Sequence, residues 1–292
     1  MFLSACIITK NEASNIKSCL ESVKDIADEI IILDAFSTDT TLEIAKKYTS
    51  KIYVKEWIHD FSFSRNFTIS KATGEWILII DADETFQYDV DFISNLKAAK
   101  TDAFSIIRKE IYKQHHDLKQ VQFPVNIIRL FKRETQAKFR YPIHERLDDF
   151  FIENNIPIAI NHNCYLNHHI SANVTFVQSK QKKYLAQIDE YLQKHPTDDW
   201  LIYQKIKTLK YFKQHSQALQ LINAFKTKHY KISVATQVIK SQIYIENGTL
   251  DKAIHVLKNL PKARNSTIVR MLLGDIYFKK KSCMQPYNNT SN

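Results

Sequence analysis

The sequence predicts an α/β fold in its first half, built on a doubly wound, mostly parallel sheet, and an all-α region after it. Over the first hundred residues, short apolar runs rich in β-branched residues alternate with helix-like segments, the pattern of consecutive βα units. From about Val174 the pattern changes to long helical periodicities with no convincing strand. Because 292 residues exceed the usual length of one domain, we expect an α/β domain over 1–173, a helical domain over 174–281 and a polar tail over 282–292.

Apolar runs and amphipathic segments of the first half define its elements one by one. The segment from Thr40 to Glu43 has the spacing of a helix capping box. Beyond residue 100 the alternation becomes mixed, and two further strands are expected there. In chain order the expected elements are a strand over Leu3 to Thr9, a helix over Ser14 to Val23, a strand over Glu29 to Leu33, a helix from Thr40, a strand over Lys51 to Val54, a helix over Phe63 to Ser70, and strands over Trp76 to Ile80, Ala103 to Arg108 and Ile127 to Phe131.

Tyrosines recur at a fixed interval in the helical region. Tyr211, Tyr244 and Tyr277 are each 33 residues apart, and each lies late in an amphipathic segment. This interval resembles that of tetratricopeptide repeats, which stack helical hairpins into a concave surface that binds peptides or partner proteins. The alternative is an unrelated helical bundle.

Charge and cysteine content limit the classes of protein to consider. Residues 1–174 contain 21 Lys and Arg against 24 Asp and Glu, and residues 175–292 contain 20 against 7, so the net charges are −3 and +13. The basic region is either a solvated helical face or a surface for anionic lipid, an acidic acceptor or nucleic acid; of these we expect no nucleic acid. The four scattered cysteines favour a reducing compartment. With no membrane span or secretion signal in the sequence, we expect a cytoplasmic protein, with peripheral contact to the inner face of the membrane through the basic helices.

Carboxylates crowd the end of the strand that begins at Trp76. The apolar run Trp76 to Ile80 leads directly into Asp81, Asp83 and Glu84. In an open α/β sheet ligands bind at the carboxyl ends of the strands, and carboxylates gathered there repel one another unless a cation or proton neutralises them. Asp81 and Asp83 offer oxygen ligands to Mg²⁺ or Mn²⁺, which commonly carries substrate phosphates. The sequence therefore predicts a metal-bound diphosphate at this edge.

Five segments occur together in an order that resembles a known family. They are Ile7 to Glu12 after the first strand, Asp34 to Asp39 after the second, Phe63 to Asn66 ahead of the fourth, Asp81 to Glu84 after the fourth, and His144-Glu145 further on. Together they resemble the family 2 inverting glycosyltransferases of GT-A fold. The nearest likeness is to the bacterial subgroup that includes lipopolysaccharide-core glucosyltransferases and the sublancin-type peptide S-glycosyltransferases with helical repeats.

The resemblance implies a nucleotide-sugar site. Thr9 and Asp34 would contact the base, and Arg65 would bind base carbonyl or diphosphate oxygens. Asp39 would position either Arg65 or the ribose. The same site would include Asn11, Glu12 and Ser37, with Asp81 on the ribose side and Asp83, alone or with Asp81, on the Mn²⁺ or Mg²⁺ ion.

The resemblance also implies a catalytic base and two classes of partner. Inversion requires attack from the face opposite the leaving group, with a base to remove the acceptor's proton. Glu145 with His144 beside it is the candidate, and which of the two acts is left open. The donor would be a nucleoside diphosphate sugar, UDP-sugar being favoured, and the acceptor a cell-envelope glycan or glycolipid, or a peptide.

Two features depart from a simple reading of the motifs. The family usually has glycine at the third position of the turn after the second strand, where a positive φ is easy, and this chain has Phe36. Either the turn has another shape or Phe36 is strained; its ring could also lie against the base. The pairs His115-His116 and His168-His169 are interpreted as polar loop or strand residues, because neighbouring residues of a strand point to opposite faces.

Two other functions fit parts of the sequence. The run from Ile79 to Thr85 also resembles the D-x-D-x-T motif of haloacid-dehalogenase-type phosphatases, with Asp81 as nucleophile and Asp83 as acid/base. Against it, the motif follows three βα units, and Asp34 and Arg65 would have no role. The second alternative is a catalytically inactive repeat scaffold, although folding alone gives no reason to keep Asp81 and Asp83 together.

Overall fold

The computed structural model describes residues 1–114, 117–120, 124–170, 173–260 and 266–284, so the His115-His116 pair lies outside the described residues. The chain divides after Gln178 into two compact units. The first unit is an α/β layer structure, and the second consists of helices in the part that the structure describes.

The first unit is built on one mixed sheet. Its strands are β1 (Leu3–Thr9), β2 (Glu29–Asp34), β3 (Ile52–Val54), β4 (Trp76–Asp81), β5 (Glu84–Tyr88), β6 (Ala103–Gln114), β7 (Asp117–Gln120), β8 (Val125–Lys132) and β9 (Ile158–His169). Its helices are α1 (Ile16–Val23), α2 (Thr41–Ala45), α3 (Phe61–Lys71), α4 (Phe92–Lys97) and α5 (Asp148–Glu153), with a 3₁₀ helix at Arg133–Thr135. The strand order is β3-β2-β1-β4-β8-β6-β9-β5, and β7 pairs with β6.

The sheet changes character beyond β4. Strands β3, β2, β1 and β4 pair in parallel, as the βα alternation predicts. Strand β8 then joins β4 antiparallel and β6 joins β8 antiparallel, whereas β9 pairs with β6 in parallel and with β5 antiparallel. The α/β class is confirmed, and the antiparallel strands form the part of the sheet that continues past the acidic motif.

The register of the parallel strands brings their carboxyl ends to one edge. Thr9 of β1 is paired with Asp34 of β2, and Ile8 of β1 is paired with Asp81 of β4. This edge is therefore where the polar residues that follow the three strands meet, as expected for ligand binding in an open α/β sheet.

Apolar residues cover both faces of the sheet. On one face Leu3, Ala5 and Ile7 of β1 pack with α1. On the opposite face Cys6 of the same strand packs with Phe131 and its neighbours. This alternation along a strand whose residues are nearly all buried explains the continuous apolar runs in the sequence.

Local details of the first unit differ from the sequence predictions. Helix α1 begins at Ile16 and β3 at Ile52, each later than predicted, whereas α3 begins earlier, at Phe61. The capping box at Thr40 is wrong, because the Thr40 side chain makes no capping hydrogen bond. Phe36 takes the strained alternative with a φ of 57° and is 58% exposed, a conformation that non-glycine residues seldom adopt.

The second unit contains helices in hairpin order. They are α6 (Val174–Lys194), which begins in the first unit, α7 (Asp199–Tyr211), α8 (His215–Ala224), α9 (Tyr230–Glu246), α10 (Leu250–Lys258) and α11 (Thr267–Met284). The core residues Ile206 and Leu209 of α7 pack with Ala218 of α8, and Ala253 and Leu257 of α10 pack with Val238 of α9. Tyr211, Tyr244 and Tyr277 lie on α7, α9 and α11, which are alternate helices of this series.

Two further observations concern the cysteines and the longer helices. Cys6, Cys19 and Cys164 are buried and carry free thiols, and the side chain of Cys283 lies outside the described residues. In the described part of the chain, every helix is too short or too polar to cross a bilayer.

Candidate active site

Hydrogen bonds join the loops that follow β1 and β2. The Asn11 amide donates to Ser37 Oγ at 2.8 Å, and Asn11 Oδ1 accepts from the Thr38 amide at 2.8 Å. Next to them, the Glu12 amide donates to Thr41 Oγ1 at 2.8 Å and the Ala13 amide donates to Asp39 Oδ2 at 3.1 Å. These contacts fix the shape of both loops. Asn11, Glu12, Ser37 and Asp39 therefore hold the backbone at the edge of the sheet where β1 and β2 end.

Asp39 does not position Arg65. Its carboxylate accepts from the hydroxyl and amide of Thr41 and from Ala13, and the Thr41 hydrogen bond is the main reason that the pKa of Asp39 lies below its ordinary value. Arg65 has other partners. Of the two roles predicted for Asp39, the contact with Arg65 is therefore not the one the structure shows, and the contact with the ribose stays a prediction.

Thr9 and Asp34 lie side by side at the carboxyl ends of β1 and β2. Asp34 is fully buried, and its carboxylate accepts from the Ser37 amide at 2.8 Å and from Ser37 Oγ at 2.5 Å. Thr9 is 6% exposed, and its buried Oγ1 has no hydrogen-bond partner among the described residues. A buried hydroxyl without a partner is costly in a folded protein, and a bound ligand would satisfy it.

Arg65 connects two of the predicted site residues. It lies on α3, is 4% exposed, and its Nη1 is 2.7 Å from Asp81 Oδ1 while its Nε donates to Glu145 Oε1 at 2.8 Å. The guanidinium also lies 5.4 Å from the centre of the Phe139 ring. Arg65, Asp81 and Glu145, from three separate parts of the sequence, thus form one ion-paired cluster.

Asp81 is held between two arginines. Its second carboxylate oxygen accepts from Arg129 Nη2 on β8 at 3.0 Å. Burial alone would raise the pKa of Asp81, but Arg129 and Arg65 outweigh that effect and keep the pKa well below its usual range. Two arginines are therefore the cations that neutralise Asp81 in this structure, and its assignment as a metal ligand stays a prediction.

Asp83 contacts a histidine at the end of β9. Its Oδ2 lies 3.3 Å from His168 Nε2, and His168 Nδ1 lies 2.9 Å from Glu110 Oε2. Burial would lower the pKa of His168, but the two carboxylates raise it to about 10. His168 is therefore protonated at neutral pH and orients Asp83, a role that the interpretation as a plain polar strand residue did not include.

Glu84 holds the backbone of the acidic segment from Asp81 to Glu84. It is fully buried, and its Oε2 accepts from the Asp81 amide at 3.0 Å. Burial, followed by the nearby Asp81 charge, raises the pKa of Glu84. The hydrogen bond fixes the backbone from which Asp81 and Asp83 project.

His144 and Glu145 are presented by a tight segment next to α3. Arg140 and Arg146 pair on either side of it, and the Pro142 carbonyl accepts from the Phe61 amide at 2.9 Å. His144 has a φ of 52°, and the Glu145 side chain is 14% exposed. The strained backbone places Glu145 against Arg65 at the same edge as Asp81.

Sequence reasoning missed Arg129, Glu110 and the role of His168. Their strands join the sheet antiparallel or across long connections, so neither their order nor their partners follow from βα periodicity. One signal was present, because Arg129 interrupts the apolar run from Ile127 to Phe131, and a buried charge needs a partner. In the structure Arg129 is 7% exposed.

The residues around Asp83 fit a divalent ion that a phosphate helps to hold. The described residues contain no group of three His, Cys, Asp or Glu side chains arranged to bind a metal by themselves. Mg²⁺ sites in enzymes commonly use one or two carboxylates, with phosphate oxygens and water completing the shell. Asp83, whose side chain is 27% exposed, meets this requirement, whereas both oxygens of Asp81 are engaged by arginine.

Comparison with known proteins identifies one family model and several relatives. The family model described as "Glycosyl transferase family 2" matches residues 4–174. The chain is 38% identical over 149 residues to a TPR repeat-containing protein of Synechococcus elongatus, which is 50% of this chain and 36% of that protein. It is 49% identical over 82 residues to the SPbeta prophage-derived glycosyltransferase SunS of Bacillus subtilis, 27% of this chain and 19% of SunS. The matched segments thus span about a third and a fifth of these relatives.

Among solved structures, the chain is similar to S. aureus TarS 1-349 in complex with UDP. The identity is 16%, the TM-score is 0.46, and the match covers 99% of this chain and 93% of that one. A second similar structure is glucosyl-3-phosphoglycerate synthase from Mycobacterium tuberculosis in complex with Mg²⁺ and uridine-diphosphate, with 15% identity, a TM-score of 0.43, and coverage of 64% and 77%.

Proposed function

Because this chain belongs to glycosyl transferase family 2, we propose that it transfers a sugar from a nucleoside diphosphate donor to an acceptor with inversion at the anomeric carbon. The observation that carries the proposal is the buried cluster in which Arg65 contacts both Asp81 and Glu145, at the sheet edge shared with Thr9 and Asp34. One nucleotide-sugar site at this edge would account for all five sequence motifs.

Thr9 and Asp34 bind the nucleoside in this proposal. The unpartnered Thr9 hydroxyl supplies a donor and an acceptor to a base edge, and Asp34 is already held rigid by Ser37. Such fixed polar groups select a base because an unmatched buried group is costly. We favour uracil, and therefore a UDP-sugar.

Asp83 holds the divalent ion, Mn²⁺ or Mg²⁺, against the donor diphosphate. The surrounding cluster contains four cationic side chains and, leaving out Glu84, four carboxylates. It therefore has no surplus positive charge to bind a diphosphate. The cations are Arg65, Arg108, Arg129 and His168, and the carboxylates are Asp81, Asp83, Glu110 and Glu145. When bound, the ion supplies the charge that stabilises the leaving nucleoside diphosphate.

Glu145 removes the acceptor's proton. The Arg65 contact fixes the orientation of its carboxylate, which is the requirement for a general base that must meet the acceptor on the face opposite the leaving group. His144 is the alternative base beside it. An acceptor thiol would demand less of this base than an alcohol, since a thiol loses its proton more readily.

The acceptor in this proposal is a cell-envelope glycan or glycolipid, or a peptide. The relative SunS is named a glycosyltransferase, and the cyanobacterial relative is named for its repeats, which supports pairing this catalytic fold with a helical recognition region. Cytoplasmic location and contact with the inner face of the membrane stay predictions.

Donor hydrolysis tests the proposal directly. UDP-glucose, UDP-N-acetylglucosamine and GDP-mannose are incubated with the protein and MnCl₂ or MgCl₂, and released nucleotide is measured. Calorimetric titration of UDP with and without Mn²⁺ gives a second readout. In Asp83→Asn we expect Mn²⁺-dependent UDP binding and turnover to fall at least about 100-fold, a loss of about 2.7 kcal/mol, whereas Asp91→Asn, at an exposed helix start, serves as the matched control.

Each competing function predicts a different result. A haloacid-dehalogenase-type phosphatase would release phosphate from a phosphomonoester and lose that activity in Asp81→Asn. An inactive scaffold would show no metal-dependent binding of any nucleotide. Wild-type turnover in Asp83→Asn would remove the metal assignment while leaving the family membership intact.

A further inference from the structure

The helical unit contains a groove between α7, α9 and the start of α11. Its volume is about 780 Å³, within the range of sites that bind small molecules or short peptide segments. Its lining includes Tyr203, Lys207 and Tyr211 of α7 and Lys231, Val234 and Val238 of α9. Spacings of three and four residues along α7 and α9 place these side chains on one face of each helix.

The floor of the groove is apolar and its rim is aromatic. Val238 and Ile239 are each 7% exposed and form the floor together with Val234. Tyr211 and Tyr230 are 45% and 49% exposed, so they present ring area to a ligand. A ligand must therefore bring apolar side chains to bury this surface favourably.

Every charged side chain among the described residues that line the groove is a lysine. Among the described residues that line it none is acidic, and of its lysines Lys210 is compensated by Glu246 at 3.1 Å. Lys207 and Lys231 have no carboxylate within 4.0 Å in the described part of the chain. The Lys207 ammonium lies 5.6 Å from the centre of the Tyr203 ring, and crowding by protein atoms lowers its pKa. Lys207 and Lys231 are exposed, so both ammonium groups are accessible to a ligand carboxylate.

We propose that this groove binds an acidic, partly apolar segment of a polypeptide, with acidic side chains at Lys207 and Lys231 and apolar side chains on the floor between the tyrosines. A peptide carries both chemistries within a few residues of one chain. A lipid headgroup or a nucleic acid would leave the aliphatic floor uncovered, because the charged groups of these ligands are not interleaved with aliphatic side chains. The inference goes beyond glycosyl transfer and does not depend on it.

Binding of a model copolymer tests this surface in the full chain. The probe is fluorescein-labelled poly(Glu,Tyr), measured by anisotropy at physiological salt without nucleotide sugar. We expect saturable binding that weakens about tenfold, or about 1.4 kcal/mol, in Lys207→Gln/Lys231→Gln, and weakens similarly in Tyr230→Ala. The control Lys226→Gln/Lys228→Gln removes the same charge from exposed positions that do not line the groove and should change affinity less than twofold.

Heparin and phosphatidylglycerol vesicles separate this site from general attraction to anions. The proposal holds if heparin and the vesicles bind more weakly than poly(Glu,Tyr), and if the groove pair and the control pair of substitutions reduce their affinity equally. It is overturned if poly(Glu,Tyr) does not bind, if the control pair weakens it as much as the groove pair, or if vesicles or heparin bind preferentially through Lys207 and Lys231. Circular dichroism of each variant confirms that the helices are intact.

Discussion

Replacement of Glu29 by glutamine should destabilise the first unit strongly, because Glu29 joins the amino-terminal ends of three strands. Its side chain is 2% exposed and lies at the start of β2. Its Oε1 accepts from Ser4 Oγ at 2.5 Å, from the Thr73 amide at 2.6 Å and hydroxyl at 2.9 Å, and from the Gly74 amide at 3.1 Å. Its Oε2 contacts the Lys51 ammonium.

The expected cost follows from these contacts. Both carboxylate oxygens of Glu29 accept hydrogen bonds, whereas glutamine has one oxygen and one NH₂ group. In Glu29→Gln the NH₂ group would therefore point at donors that now contact an oxygen. Removing one member of a buried ion pair costs roughly 3–5 kcal/mol, and because the Lys51 side chain is 36% exposed the lower end applies. We therefore expect a loss of about 3 kcal/mol in the free energy of unfolding for Glu29→Gln, or roughly 6–12 °C in Tm for a unit of this size.

Urea unfolding followed by tryptophan fluorescence and circular dichroism measures this loss. Glu56→Gln is the matched control, since it removes the same charge at an exposed position and should change the unfolding free energy by no more than about 0.5 kcal/mol. Nucleotide binding by folded Glu29→Gln should be unchanged, because the site lies at the other end of the strands. Equal stability of the two variants would refute the reasoning.

The pH dependence of the stability difference between wild type and Glu29→Gln is an independent test of the same prediction. The contacts lower the folded-state pKa of Glu29 from 4.5 to about 2, although burial opposes them. A group whose pKa is depressed on folding stabilises the protein above its unfolded pKa and loses that contribution as the pH falls through the folded value. The difference in stability between wild type and Glu29→Gln should therefore be largest above pH 5 and shrink between about pH 4.5 and 2. A difference that grows with acidification would contradict the assignment.

Three further predictions concern the sheet and its polar edge. Gly74→Ala should lower stability by about 1–3 kcal/mol, because an added Cβ would lie 2.5 Å from Ser4 Oγ, whereas Gly274→Ala, which meets nothing within 4 Å, should be neutral or slightly stabilising by thermal unfolding. His168→Gln should weaken Mn²⁺-dependent UDP binding about 10–100-fold by releasing Asp83, and an unchanged titration would show that Asp83 needs no such support. Glu145→Gln should leave UDP binding near wild type while slowing sugar transfer at least about 100-fold; undiminished transfer would return Glu145 to a structural role.

The sequence by itself determined the α/β alternation, the parallel core strands and the onset of helices at Val174. These follow from local periodicity, since strands and helices repeat apolar residues at different intervals. It also placed Thr9, Asp34 and Asp81 at the ends of strands that parallel pairing must bring to one edge. Family resemblance added the candidate roles of Arg65 and Glu145, which spacing alone does not give and which stay predictions.

Only the tertiary structure decided how the charges of the site are paired. Arg129 and His168 reach the acidic turn from β8 and β9, strands whose antiparallel and long-range pairing leaves no local signature. The pairing changed the meaning of the acidic motif, because arginines neutralise Asp81 while Asp83 keeps a partly exposed carboxylate beside a histidine. A sequence shows which side chains carry charge, but the distances between them, which set their interaction energies, exist only in the folded chain.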